Sequence, residues 1–411
     1  MDWDHEVLLV GGGMVGASLA RALAGSGLRL AVVEAVPPGA PSQPSYDDRV
    51  IALSWGSRLI LQAIGCWDGL ATEAEPIHHI HVSDRGHWGL ARLDCRELGV
   101  DALGYVASAR ALGQTLTRGL TDQVGLTWIS PGQLLSFQTE PDRVRVTLAV
   151  PGGTQELSVG LLVAADGAES RVRQALEPPV EQWPYGQAAV IANVTPARPH
   201  QNVAYERFTP DGPLALLPMT QGRCSLVWTQ RETRVAEVQG WSDAEFLARL
   251  QDAFGYRLGR FLEVGRRQAY PLRLLRVLEF TQSRVVLIGN AAHTLHPVAG
   301  QGFNLGLRDV AALAEVLHPI SRQGQDPGSE WVLARYAQWR AEDQRRVARV
   351  TDGLVRLFTN PWEPLRWLRN LGLVALDLTP PAKQLLSRQF MGLGGKLPRL
   401  ARGLRLVAPN S

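Results

Sequence analysis

The chain has 411 residues, 45% of them hydrophobic, with 42 basic side chains against 39 acidic and a formal net charge of +3. A chain of this length holds two or three domains and can bury a sizeable core, and so even a charge balance argues against a nucleic-acid partner. Cys66, Cys95 and Cys224 lie too far apart for a metal or redox motif and fit a reducing compartment. The acidic start MDWDHE has no basic region ahead of an apolar core, which argues against secretion. No apolar run approaches the roughly 18 residues a bilayer span needs. The expected protein is soluble and cytoplasmic.

Glu6 to Val10 reads as a strand ending in VLLV, followed by Gly11-Gly12-Gly13-Met14-Val15-Gly16 and a helix to about Gly25. Leu28 to Val33 is a second strand, ending at Glu34. A G-x-G-x-x-G turn between strand and helix is a dinucleotide fingerprint. Gly11 permits the tight turn, Gly13 lets a pyrophosphate approach the backbone, and Gly16 lets the helix pack on the strand. Glu34, 18 residues after Gly16 (34 − 16), can accept from a ribose hydroxyl. It favours an unphosphorylated ribose, hence the adenosine end of FAD or NAD. Gly11, Gly13, Met14, Val15, Gly16 and Glu34 are the expected cofactor-binding residues of this unit. No second complete fingerprint occurs, which argues against a separate NAD(P)H domain.

After a proline-rich loop, Asp47 to Ser54 (DDRVIALS) leads into a helix from Trp55 to Ile64. Arg49 is placed to meet a phosphate or a flavin edge, or to pair with Asp47 or Asp48 at the surface. His78, His79 and His81 with Asp84 suggest a metal set, but strand alternation puts His78 on the opposite face from the other two. A helix is expected from Ala107 to Leu120. A β-meander follows, with strands near Leu126–Ile129, Leu134–Thr139, Val144–Val150 and Gln155–Val159. Leu161 to Ala165 is a separate buried strand that runs into Asp166-Gly167 and a helix capped by Ser170. Asp166 can accept from a sugar hydroxyl or order water at a pyrophosphate, Gly167 is the turn residue, and Arg173 either meets a phosphate or faces solvent.

Alternating stretches between Tyr185 and Tyr270 predict a second sheet, with a helix from Trp241 to Phe254. This sheet could form one wall of a substrate pocket, though Phe208 and Trp228 are more often core than lining. Val285 to Ile288 is a buried strand; Gly289-Asn290, Pro297 and Gly300-Gln301-Gly302 follow, then helical spacing at Phe303, Leu307, Val310, Leu313 and Val316. Gly300 and Gly302 would let a large flat ligand approach the main chain, and the helix start offers N–H groups to negative charge. Such a loop suits a flavin, whose ring must be held far from its adenine, better than NAD. Leu333 to Val350, with Arg340, Glu342, Asp343, Arg345 and Arg346, reads as a helix with a solvated charged face. Leu354 to Leu378 is rich in leucine, aromatics and arginine and is broken by Pro361 and Pro364. It is expected to pack on the body, with a membrane or lipid-tail contact as the alternative. Met391 to Ser411 is expected to be loose.

Taken together, the fingerprint at Gly11, the Asp166-Gly167 motif and the Gly289 loop resemble the FAD-dependent aromatic hydroxylase superfamily, typified by para-hydroxybenzoate hydroxylase, over nearly the whole chain. DDRVIALS and HPVAGQGFNLGLRD narrow the resemblance to the ubiquinone-biosynthesis hydroxylases. HVSDRGH, VIANV, ERFTPDGPLALLPM and GRCSLVW narrow it to their 6-methoxyphenol branch. The resemblance implies an α/β fold, with a Rossmann-like FAD-binding domain at residues 1–75, 98–180 and 272–345. It implies an inserted, mostly β substrate domain at 76–97 and 181–271, and a helical C-terminal region at 346–411.

The implied activity is hydroxylation of 2-polyprenyl-6-methoxyphenol to 2-polyprenyl-6-methoxy-1,4-benzoquinol, with NADPH or NADH as electron donor and O2, through a flavin C4a-hydroperoxide. His296, Pro297, Gly300 and Gln301 would stand at the reacting ring, with His296 as the candidate base. Arg49, Arg110, Asp166, Gly167, Gly289, Asn290, Gly300, Gly302, Phe303 and Asn304 would join the cofactor set. Asn290 departs from the superfamily's usual Asp and can still accept a ribitol hydroxyl, without charge; Arg110 stands for an Arg whose register is open. Other ubiquinone-biosynthesis proteins and the face of the inner membrane are implied contacts. The rival readings are a flavin hydroxylase acting on another ring position or another small aromatic, and a flavin-binding scaffold of a quinone-synthesis assembly.

Overall fold

The computed structural model of the chain describes residues 2–37, 39–40, 49–296, 300–360 and 362–406. The first apolar run is strand β1 (His5–Val10), and helix α1 (Met14–Leu23) follows Gly13 and lays Ala17, Leu19, Ala20 and Leu23 into the core. Strand β2 (Leu30–Val33) pairs with β1 in parallel. Strand β3 (Val50–Ser54) leaves this sheet, and Ser54 caps helix α2 (Trp55–Ala63) by accepting the Ser57 N–H. Strands β4 (His79–Asp84) and β5 (Leu90–Asp94) form a hairpin in a second sheet. Strand β6 (Gly104–Ser108) returns to pair with β3, helix α3 (Ala109–Thr117) follows, and strand β7 (Leu126–Ile129) adds to the free side of β2.

Strand β8 (Gly153–Ala164) is one strand of 12 residues where alternation predicts two. Its first half pairs antiparallel with residues 144–150, and its second half enters the parallel sheet beside β1. After helix α4 (Arg171–Leu176) come β9 (Val180–Pro196), β10 (Val203–Thr209), β11 (Gly212–Pro218), β12 (Cys224–Arg231), helix α5 (Asp243–Phe254) and β13 (Gln268–Val277). Strand β14 (Val285–Leu287) returns to the parallel sheet beside β8. The first sheet is therefore ordered β14-β8-β1-β2-β7, and the second β13-β9-β12-β11-β10-β4-β5. Helices α6 (Gln301–Gln323), α7 (Glu330–Thr359), α8 (Glu363–Leu378) and α9 (Pro380–Phe390) complete the chain.

Register decides where a ligand can bind. Val10 lies opposite Val33 and Ala164, and Ala164 lies opposite Leu287. Four parallel strands thus end at one level, and Gly11, Glu34, Ala165 and Ile288 leave the sheet side by side. Because β2 and β8 flank β1 on opposite sides, the connections diverge there and open a crevice, the position at which open α/β sheets bind ligands.

In the second sheet, Val190, Leu214, Leu216 and Trp228 pack on Phe246, Leu250 and Phe254 of α5. Helix α7, about 45 Å long at ~1.5 Å per residue, ties the two sheets together. Its Tyr336 meets Phe280 beside the first sheet, and its Phe358 stacks on Phe208 of β10 with ring centroids 3.6 Å apart.

Three expectations for the C-terminal region are corrected. The charged face of α7 is divided: Glu342 and Arg345 are exposed, whereas Arg340 and Asp343 are buried. The tail is not loose throughout, since Leu400 and Ala401 are buried in the main core. Pro364 stands in the first turn of α8, where its missing N–H costs nothing, and does not interrupt the helix. Pro361 and residues 407–411 lie outside the described residues. Among the described residues, no helix is long and apolar enough to cross a membrane.

Candidate active site

The crevice is shaped first by glycine. Gly11 has φ +100°, and a Cβ there would stand 2.5 Å from the carbonyl oxygen of Ala165. A Cβ on Gly16 would stand 1.9 Å from the carbonyl oxygen of Gly11. Any side chain at either position would push the first loop off the second. Gly13 sits at the N-cap of α1, Met14 opens the helix, and Val15 packs against Gly289 and Gly306. Val15 therefore joins the fingerprint to the last glycine loop. Glu34 turns its carboxylate back over the crevice and accepts the Gly12 N–H at 2.6 Å and the Val36 N–H at 3.0 Å.

Asp166 follows β8 directly. Its Oδ2 accepts the Val172 N–H at 3.3 Å, while its Oδ1 is buried with no partner among the described residues. Gly167 takes φ +85°. Arg173 neither faces solvent nor reaches into the crevice. Its buried guanidinium donates to the carbonyls of Ala168 at 2.5 Å and Ala291 at 3.0 Å, stitching the Asp166 loop to the loop after β14.

That loop begins at Gly289 (φ +58°) and Asn290. The Gly289 N–H is held by Asp309, fully buried on α6. Asp309 also accepts from His293 Nε2 at 2.7 Å, Arg340 Nε at 2.8 Å and Gln344 Nε2 at 3.0 Å. Arg340 Nη1 continues to Asp343 at 2.6 Å, and Asp343 also accepts from Arg308 Nη1 with both oxygens at 3.0 Å and from Arg346 Nη2 at 3.3 Å. Burial opposes ionisation of Asp309, but His293 and Arg340 beside it hold the carboxyl well below the usual carboxylate range. The sequence reading missed this cluster. Its one local signal was an aspartate inside the apolar spacing of α6.

Gly300 has φ +60°, and a Cβ on it would meet that of Ala52 at 2.8 Å. Asn304, expected at the cofactor, spends its carboxamide elsewhere. Oδ1 accepts from the Ser54 N–H at 2.8 Å and Ser57 Oγ at 2.7 Å, and Nδ2 donates to the carbonyls of Ala52 at 2.8 Å and Gly300 at 2.6 Å. It fastens DDRVIALS to the start of α6, so only its backbone is available to a ligand. Gln301 likewise reaches the Phe390 carbonyl at 3.3 Å, at the end of α9. Phe303 packs on the core, and at Gly302 the space a Cβ would occupy is open. Arg49 lies 5.1 Å from the ring centroid of Tyr270, and its carbonyl accepts the Ala109 N–H at the start of α3, beside the exposed Arg110. His296 is fully buried with its ring edge-on to Tyr185 at 5.1 Å, and burial pushes its pKa down to about 4. It is a neutral imidazole at ordinary pH, suited to orienting a partner more than to holding a proton. Pro297, Asp47 and Asp48 lie outside the described residues.

His79 pairs with Asp94 at 3.5 Å, and among the described residues no group of three or more His, Cys, Asp or Glu could hold a metal. The site fits a dinucleotide instead. A backbone cradle forced by Gly11 and Gly16 lies beside a carboxylate on each neighbouring strand end, one of them with a buried oxygen lacking a partner.

Comparison with known proteins agrees. The FAD binding domain family matches residues 4–351, most of the chain. The protein is an FAD-dependent monooxygenase of that family. This monooxygenase is 38% identical over 409 residues to ubiquinone hydroxylase UbiL of Rhodospirillum rubrum, covering 98% of this chain and 93% of the relative. It is 35% identical over 393 residues to the 3-demethoxyubiquinol 3-hydroxylase of Escherichia coli, covering 94% and 98%. The crystal structure of p-nitrophenol 4-monooxygenase from Pseudomonas putida superposes with a TM-score of 0.80 over 96% of this chain and all of that one. At 21% identity that likeness shows the fold alone. By its relatives the chain belongs to the ubiquinone-biosynthesis hydroxylase family, and its fold is α/β with a helical C-terminal region.

Proposed function

We propose that this monooxygenase hydroxylates 2-polyprenyl-6-methoxyphenol to 2-polyprenyl-6-methoxy-1,4-benzoquinol, with NADH or NADPH as electron donor and O2 as oxidant. The observation that carries the reading is the convergence of four strand-end loops with the N-terminus of α6. FAD, when bound, supplies the electron transfer and oxygen activation. The chain supplies position and field. Glu34 receives the ribose, and Asp166 offers its free oxygen to the sugar or pyrophosphate hydration. Gly289 and Asn290 meet the ribitol. The N–H groups of the first turn of α6, near Gly302, would meet negative charge on the ring. Arg49 would stand at the ring edge, and His296, packed on Tyr185, would orient the loop that follows it.

A polyprenylated substrate resides in a bilayer, and α8 is built to lie on one. Pro364, Trp367, Leu368, Leu371, Ala375 and Leu378 form an exposed apolar stripe, while the polar Arg369 and Asn370 face inward to Asp84. Residues 362–406 carry eight Arg and Lys against two Asp and Glu, an excess of six (8 − 2), where the whole chain has an excess of three (42 − 39). An apolar stripe in a basic setting suits the surface of an anionic bilayer.

The relative named 3-demethoxyubiquinol 3-hydroxylase favours a second reading, attack at another ring position. Both are tested by supplying FAD, NAD(P)H, heavy O2 and a short-chain 2-prenyl-6-methoxyphenol. A 1,4-benzoquinol with one heavy oxygen supports the first reading. Turnover only with a demethoxyubiquinol analogue supports the second. A protein that binds FAD and oxidises no NAD(P)H with either substrate rejects both.

A further inference from the structure

The second sheet has one covered face and one that looks toward the FAD-binding half. Tyr205 lies opposite Leu216, and Arg207 opposite Leu214, so these residues point to the α5 side. Glu206, between them, points to the other side. Its cross-strand row runs Val82, Glu206, Ala215, Val227, Ile191, Gln268. On this same face Phe208 stacks beneath Phe358 of α7, and Tyr270, one row from Gln268, carries the guanidinium of Arg49, the residue before β3. The row thus spans the space between the flavin-side strand β3 and helix α7.

Glu206 is the single carboxylate in that row. It is hemmed in by protein yet keeps part of its surface accessible, as a group lining an internal space does. It makes no hydrogen bond or ion pair with any described residue. The small Ala215 beside it leaves room above the sheet. A half-buried carboxyl without a partner is costly unless a ligand completes it. Burial alone pushes its pKa up to about 7, where a carboxylate can exchange a proton with a phenol far more readily than an ordinary glutamate.

We propose that Glu206 binds the hydroxyl of the phenol substrate and accepts its proton as the ring is attacked, a role that rests on the phenol reading above. The phenolic O–H bond breaks and the proton moves to a Glu206 carboxylate oxygen. The electron pair stays on the phenolate oxygen, from which it raises electron density at the para carbon. When the ring rearomatises, the proton returns to that oxygen, and the hydrogen displaced from the para carbon leaves to solvent.

The test compares wild type with Glu206→Gln, which keeps shape and removes the proton acceptor. FAD content, Tm and the pH profile of quinol formation are measured in both. Expected for E206Q is full FAD content, a Tm unchanged or raised, and quinol formation slower by about a hundredfold or more. The wild-type rate should rise with pH through an inflection at about 7, and E206Q should lack that inflection. A merely structural glutamate would lower Tm and leave that inflection in place, and this result overturns the proposal, as does wild-type quinol formation by E206Q. A wild type that binds FAD but hydroxylates no phenol overturns the phenol reading itself, and is told apart because the failure precedes any substitution.

Discussion

Gly289 gives its backbone N–H to Oδ2 of Asp309 at 3.0 Å, across 20 residues of chain. The bond ties the loop that should hold the flavin's ribitol to the interior of α6, and Arg340 and Gln344 then tie α6 to α7 through the same carboxylate. The position of the cofactor loop therefore depends on buried side chains in the body of α6 and in α7.

Replacing Asp309 by Ala leaves His293 and Arg340 buried without their shared acceptor, a loss of about 3–5 kcal/mol. D309A should show a lower Tm by calorimetry and a lower FAD content after gel filtration. Because the folded carboxyl titrates below its unfolded value, its stabilisation is present above the unfolded pKa and declines as pH falls toward the folded one. Urea unfolding from pH 6 down to pH 2 should show that decline in wild type and a shallower one in D309N.

Asn304→Ala removes three hydrogen bonds that join β3 and α2 to the start of α6 and a fourth to the Gly300 carbonyl. Several buried groups are left unsatisfied at about 1–3 kcal/mol each, not fully additive. FAD titration followed by flavin fluorescence should show weaker binding, although this side chain faces away from the ligand. N304D should do no better, since it cannot donate to the Ala52 and Gly300 carbonyls.

Arg173→Lys tests whether one guanidinium holds two loops together. A lysine cannot span the Ala168 and Ala291 carbonyls with the fixed geometry of the guanidinium fork. R173K should retain the fold by circular dichroism and lose FAD affinity. Wild-type affinity in R173K would show that the stitch is dispensable.

His296 has a folded pKa of about 4 against an ordinary 6.5. It folds as the neutral ring, so its contribution to stability is full above pH 6.5 and falls as the pH drops from 6.5 through 4. H296Q, neutral throughout, should flatten the stability profile in that window. The wild-type kcat profile should carry no inflection near 6.5 from this residue.

Trp367→Glu with Leu371→Glu places charge on the exposed stripe of α8 and leaves its inward contacts to Asp84 intact. Flotation with anionic vesicles should carry wild type upward and leave the double variant in the soluble fraction, with activity on a water-soluble short-chain phenol unchanged. Equal flotation of both would remove α8 from the membrane contact.

The glycine fingerprint, the Asp166-Gly167 turn and the Gly300 loop were legible because each is a local backbone requirement: a positive φ or a close approach that residues next to one another can state. Most strands of the two sheets were legible through alternation or continuous apolar runs, although Leu90–Asp94 and Gln268–Val277 were not. Arg340 and Asp343 were misplaced because a charged helix ordinarily faces water, and their inward turn depends on a buried Asp309 some thirty residues earlier in the chain. Asn304 was given to the cofactor because nothing local reveals that its four partners come from β3, α2 and its own loop. Glu206 was visible only as a letter in ERFTPDGPLALLPM until strand register assigned it a face.

By itself the sequence determined the fold class, the nucleotide-binding loops and the family, since these depend on spacing and backbone geometry along the chain. Tertiary structure alone decided which charges are buried, which polar groups serve as fasteners and which carboxyl is left without a partner on the inner face of the second sheet. Burial and pairing are properties of residues brought together from distant segments, and their energies exist only once those segments pack.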